Sequence, residues 1–200
     1  MRLMKSKNHE DHPKVCVTGS RGNTISPRCG QAHLAVVDGL ILSLTPFSHN
    51  YNYRSAILHG TASFLEDLDE KEFAMQTITN HVHPNRWNDS RTPPTKTELA
   101  STGIIKITIQ SASAKLHTGP PEDKDADDLA NTEMRNRVWV GTIPLYEQMG
   151  DPITAEYSMV RKAPASVTEV VRQRNVKEKE WAVLVAKEKL DLPLTHENGA

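Results

Sequence analysis

The stretch TPFSHNYNYRSAILHG, residues 45–60, gathers most of the side chains in this sequence that could recognise a small molecule. Only 5% of the chain is aromatic, yet Tyr51 and Tyr53 stand two apart among His49, Asn50, Asn52, Arg54 and Ser55. Tyrosine faces can stack on a planar ring, Asn and Ser can bond its edge, and Arg can offset an anion. The plainer account is a polar connection between two strands, with Asn residues satisfying turn geometry. These residues by themselves leave both open. If the strand begins by Tyr51, alternation puts Tyr51, Tyr53 and Ser55 on one face and Arg54 on the other. The whole cluster therefore cannot meet one ligand from a single copy of the chain.

Other candidates carry less chemistry. His81 and His83 are two apart near an expected helix end, whereas metal ligands on a helix want a spacing of three or four. His59 within an apolar strand reads as a half-buried imidazole, Lys115 as a surface cation and Trp139, between two valines, as core. Gly19, Gly22 and Gly30 form neither a phosphate loop nor a dinucleotide fingerprint. Cys16 and Cys29 supply no disulfide framework and too few ligands for zinc, so no metal is expected.

The elements that must hold the cluster are mostly strands. KVCVT (14–18) and RSAILHGTASFL (54–65) are strand-like, with Gly60 a bulge or a point of close approach. Asp38-Gly39 within LAVVDGLILSL has the composition of a two-residue hairpin turn. GIIKITIQSASAKL (103–116) alternates, with Ile105, Ile107 and Ile109 on one face. RVWVGTIPLYEQMG (137–150) reads as a last strand or strand pair, and 119–133 as an acidic loop. Residues 66–82 read as a helix with an acidic first turn, and Thr95 and Glu98 as the capping box of a short one. A charged helix beyond Pro164 reads as a solvated flank. Residues 19–34 look like an insertion: without them, Val15–Thr18 would run straight into Ala35–Val37. This pattern predicts a mainly β chain with flanking helices, α+β in class.

Composition narrows the function. A net charge of −1 over 200 residues points to no nucleic-acid or membrane partner. No apolar run approaches the roughly 20 residues of a membrane span, and MRLMKSK lacks the apolar core of a signal peptide. A cytoplasmic location is expected.

The order of segments adds to this. VDGLILSLTPFSHNYNYRSAILHGTA, the PNRW loop, SAKLHTGPP and VWVGTIPL together resemble the flavin-nucleotide-binding relatives of pyridoxamine 5'-phosphate oxidase, in particular a fungal-type branch, over about residues 35–155. The resemblance implies a split β-barrel that binds FMN, commonly between the subunits of a homodimer, and an oxidoreductase of unknown substrate. It implies FMN contacts from Asn50, Tyr51, Tyr53, Arg54 and Ser55, with Lys115 and Trp139 at family positions on later strands and Arg2 matching a basic residue of an upstream helix. Relatives carry further strands before this point, so the barrel is expected to be incomplete at the N-terminus. Its expected parts are a partial helix and strand with the insertion (1–34), the flavin-binding barrel (35–160) and a charged helical extension (161–200). The rival readings are a non-catalytic flavin- or haem-binding module, with His59 or His117 as an iron ligand, and a non-functional fragment of such a protein, the product of a faulty gene model.

Overall fold

Strand-forming runs of Ile, Val and Thr dominate the middle of the chain, and the protein follows them. The structure is a computed structural model that describes residues 14–20 and 29–190. Its strands are β1 (Lys14–Ser20), β2 (Cys29–Leu42), β3 (Asn50–Phe64), β4 (Thr102–His117) and β5 (Gly141–Pro144). Its helices are α1 (Leu68–Val82), α2 (Lys96–Ser101), α3 (Ala126–Ala130), α4 (Thr132–Arg137) and α5 (Ala165–Lys187). This is a predominantly antiparallel sheet with flanking helices, the class expected and the arrangement of a split barrel. Contacts divide the chain into two units, Met1–His33 with Ile57–Ser113 and Leu34–Ala56 with Ala114–Ala200.

In the first unit β1 pairs antiparallel with β4, Lys14 opposite Thr108 and Ser20 opposite Thr102, and β3 follows on the other side of β4. Gly60 is the close-approach point: a Cβ there would stand 2.2 Å from the carbonyl oxygen of Thr108. The core beneath α1 joins Leu65, Ala74 and Ile104, with Met75 packed against it. Asp67 caps α1 by accepting the Glu70 amide at 2.8 Å. The expected capping box is present on α2: Thr95 accepts the Glu98 amide and Glu98 accepts the Thr95 amide. The alternation expected for β4 is incomplete. Ile104, on the face opposite Ile105, is its most buried residue, because the α1 core covers that face.

In the second unit the strand order is β4, β3, β2, β5, and β2 pairs antiparallel with β5, Leu40 opposite Ile143. Here the expected hairpin at Asp38-Gly39 is corrected: both residues lie inside β2. The Asp38 carboxylate is buried in an ion pair with Arg54, and Gly39 allows β5 to approach, since a Cβ would meet the Ile143 carbonyl at 3.2 Å. Turn-like composition was used for pairing and close approach instead. Residues 29–34 of the supposed insertion belong to β2, and β1 and β2 hold separate places in the strand order. Residues 21–28 lie outside the described residues, as does any shortening at the N-terminus. The acidic 119–133 loop contains α3 and the start of α4, whose caps Asp125 and Asn131 bond amides of the following turns. The last strand shrinks to Gly141–Pro144. The helix expected to be a solvated flank, α5, instead packs on β5 and buries Ala182 and Val185.

Candidate functional site

β3 carries the polar-aromatic cluster, and its alternation sorts that cluster. Asn52 and Arg54 share a face. Asn52 is fully buried: its Nδ2 donates to the carbonyls of Val185 (2.9 Å) and Gly119 (3.1 Å), and its Oδ1 lies 3.3 Å from His117 Nδ1. Both of its amide hydrogens and its carbonyl are thereby used. Arg54 makes a bidentate pair with Asp38 at 2.8 and 2.7 Å and sits 5.0 Å above the Trp181 ring, with Glu178 at 3.9 Å. Its charge is already balanced by protein carboxylates.

Tyr53 and Ser55 share the other face and are half-buried. Tyr53 stacks with His117, ring centres 6.0 Å apart and 13° from parallel. Tyr53, Arg54 and Ser55 line a cavity of about 650 Å³ within the second unit. The start of β2 (Leu34, Ala35, Val36), the end of β4 (Ala114, Lys115, Leu116), Trp181 and Leu190 complete its wall. Lys115 is exposed and makes no ion pair among the described residues. The cavity therefore combines aliphatic surface, two aromatic rings, a hydroxyl, the paired Arg54 and the exposed Lys115 ammonium. That set suits a planar, mostly apolar ligand with an anionic end. It offers no evident acid–base pair, and the described residues hold no group of three or more potential metal ligands.

The expected site residues separate. Tyr53, Arg54, Ser55 and Lys115 come together in the cavity, Arg54 with its guanidinium held by Asp38. Asn50 and Tyr51 are exposed and outside it: Asn50 accepts the Tyr51 amide and its Nδ2 lies 3.5 Å from His117 Nε2. Trp139 is not core. It is 63% exposed and lies against Gly141, in a different groove of about 600 Å³ that it shares with Asp123, Arg135 and Arg137. Arg2 lies outside the described residues. Asp38, Asn52, Trp181 and Leu190 were not among the expected residues. A signal for Trp181 existed in the spacing of Glu178, Trp181, Ala182 and Val185, one stripe of a helix.

Nearby, Lys189 bonds Glu122 at 2.7 Å and holds its carboxyl below the ordinary range. No helix among the described residues is long and apolar enough to cross a membrane.

Residues 10–116 match the sequence model of the family described as pyridoxamine 5'-phosphate oxidase. No curated protein matches the chain. Among solved structures, the flavocytochrome Anf3 from Azotobacter vinelandii is similar at 25% identity and a TM-score of 0.69, over 80% of this chain and 74% of that one. The FAD and heme binding protein from Mycobacterium smegmatis is similar at 26% identity and a TM-score of 0.70, over 84% of this chain and 86% of that one.

Proposed function

This chain belongs to the pyridoxamine 5'-phosphate oxidase family, and on that premise we propose that it binds FMN in the cavity of Tyr53, Ser55 and Lys115 and serves as a flavin-dependent oxidoreductase. The observation that carries the reading is the cavity wall, aromatic and aliphatic on its sides, with Lys115 a cation that makes no ion pair among the described residues. Its volume of about 650 Å³ lies within the roughly 300–1,000 Å³ of small-molecule sites. The buried Nε1 of Trp181 has no acceptor among the described residues, and a small shift of the ring toward a ligand carbonyl or ring nitrogen would satisfy it. Both similar structures carry names of flavin or cytochrome proteins, which supports a flavin and leaves the choice between FMN and FAD to measurement.

In this reading Lys115 binds the anionic end, Ser55 bonds a polar edge, and Tyr53, set by its stack on His117, lies against the ring. When bound, a flavin supplies hydride or single-electron transfer through its ring. The chain contributes orientation and exclusion of water. A homodimer is part of the same proposal, and exposed Phe47, Ile153, Tyr157 and Met159 offer apolar surface of the kind such an interface buries.

Titration of FMN, followed by quenching of flavin fluorescence, tests the reading. Saturable binding at micromolar concentration or tighter is expected, and Lys115→Gln should weaken it about tenfold, the loss of one charge-assisted contact of roughly 1.4 kcal/mol. Absence of binding would overturn the reading, and equal binding by Lys115→Gln and Ser55→Ala would move the site elsewhere. Haem is the second reading, favoured by the names of both similar structures and by half-buried His117 beside Tyr53. Its test is an absorption spectrum after addition of haemin: a sharpened Soret band lost in His117→Ala supports it.

A further inference from the structure

The family match ends at residue 116, yet two side chains of the cavity wall come from far beyond it, Trp181 of α5 and Leu190 just after that helix. We propose that this C-terminal wall sets the size of ligand the cavity accepts, with Arg54 and Asn52 as the positioning residues that hold it. The inference rests on the flavin reading above.

A helix that merely covers a sheet needs only an apolar stripe. α5 has that stripe in Ala182 and Val185, and it has polar anchors besides. Trp181 is held under the Arg54 guanidinium, which the buried carboxylate of Asp38 fixes in two bonds. The last turn is tied through one atom, the carbonyl oxygen of Val185, which accepts from Asn52 Nδ2 at 2.9 Å and from the Gly119 amide at 2.7 Å. Beyond the helix, the Leu190 amide donates to Thr118 Oγ1 at 2.7 Å and Lys189 bonds Glu122 at the same distance. Gly119 takes a φ of +115°, a conformation that lets its amide turn to Val185 and that side-chain-bearing residues resist. Trp181 and Leu190 are thus anchored separately. A ligand too long for the cavity meets a fixed wall.

The same anchoring assigns Arg54 a role other than binding an anion. With Asp38 and Glu178 against it, its charge is spent inside the protein, and besides its own place in the wall it sets the Trp181 ring. Cutting back Trp181 or Leu190 enlarges the cavity on one side, so a larger ligand gains relative to a smaller one. Loss of a purely structural contact would weaken both alike.

FMN and FAD are the probes, each titrated by flavin fluorescence against the full chain and its variants. The ratio of FMN affinity to FAD affinity, whatever its wild-type value, should fall at least fivefold in Trp181→Ala and in Leu190→Ala. Arg54→Met should shift it in the same direction by less. Trp181→Phe keeps an aromatic body in the helix and should fall between, and it stands in for Trp181→Ala if thermal unfolding shows that variant to be unfolded. A preference within twofold of wild type in Leu190→Ala and in the folded Trp181 variant overturns the proposal while flavin binding stands. A wild-type chain that binds neither flavin brings down the proposed function, and this wall with it.

Discussion

Asn52 has no access to solvent, yet it is polar, so each of its hydrogen-bonding atoms has to find a partner in the protein. It finds them in Val185, Gly119 and His117, residues far away in sequence. Asn52→Ala should lower stability by about 1–3 kcal/mol, seen as a lower urea midpoint, because it strips partners from buried groups. Glu98 gives a pH-dependent counterpart on the surface. The Arg91 guanidinium, followed by the Thr95 amide and hydroxyl, pulls its carboxyl down from 4.5 to about 2. Its folded value lies below its unfolded one, so the stabilisation is fully present above about pH 4.5 and lost as pH falls toward 2. Thermal unfolding of wild type and Glu98→Gln should therefore differ at pH 6 and converge near pH 2. A difference that persists at pH 2 would assign the effect to packing.

At the scale of elements, glycines separate pairing from turning. Gly60 lies where β3 and β4 approach so closely that a Cβ would overlap the Thr108 carbonyl, and backbone cannot move aside cheaply. Gly60→Ala should cost about 1–3 kcal/mol. Gly39→Ala should cost less, since its nearest contacts are 3.2 and 3.3 Å away. Gly150, with nothing within 4 Å, serves as the neutral control: Gly150→Ala should stay within about 0.5 kcal/mol of wild type. Denaturant curves for the three variants check this order. The helices were readable because their signals are local: the Thr95–Glu98 box and the acidic start of α1 depend on neighbours three residues away. The Asp38-Gly39 pair misled because the same two residue types serve a tight turn or a buried ion pair beside a close strand, and only the partner chain segment decides.

For the whole molecule, ligand linkage gives the most direct prediction. A flavin that binds only the folded chain should stabilise it by about 2.7 kcal/mol at a hundred times its Kd, raising Tm with ligand concentration. The rise should be much reduced in Lys115→Gln at equal FMN. An unchanged Tm with saturating FMN would argue against a site in the folded protein. The reach of the family match sharpens the point. Residues 10–116 carry β3 and most of β4, but Trp181 and Leu190 reach the cavity from beyond the match.

By itself, the sequence determined the class of the fold, the place of α1 and α2, and the gathering of Tyr53, Arg54 and Ser55 on one strand. Those follow from period, caps and local composition, which act over a few residues. Only the tertiary structure decided which of the cluster faces the cavity. It turned Arg54 to Asp38 and Trp181, spent Asn52 on the end of α5, put Trp139 in another groove and left Lys115 exposed in the cavity wall with no ion pair among the described residues. Arg54 meets Asp38 from 16 residues away and Asn52 meets Val185 from 133, and a buried charge or amide is assigned by whichever partner reaches it.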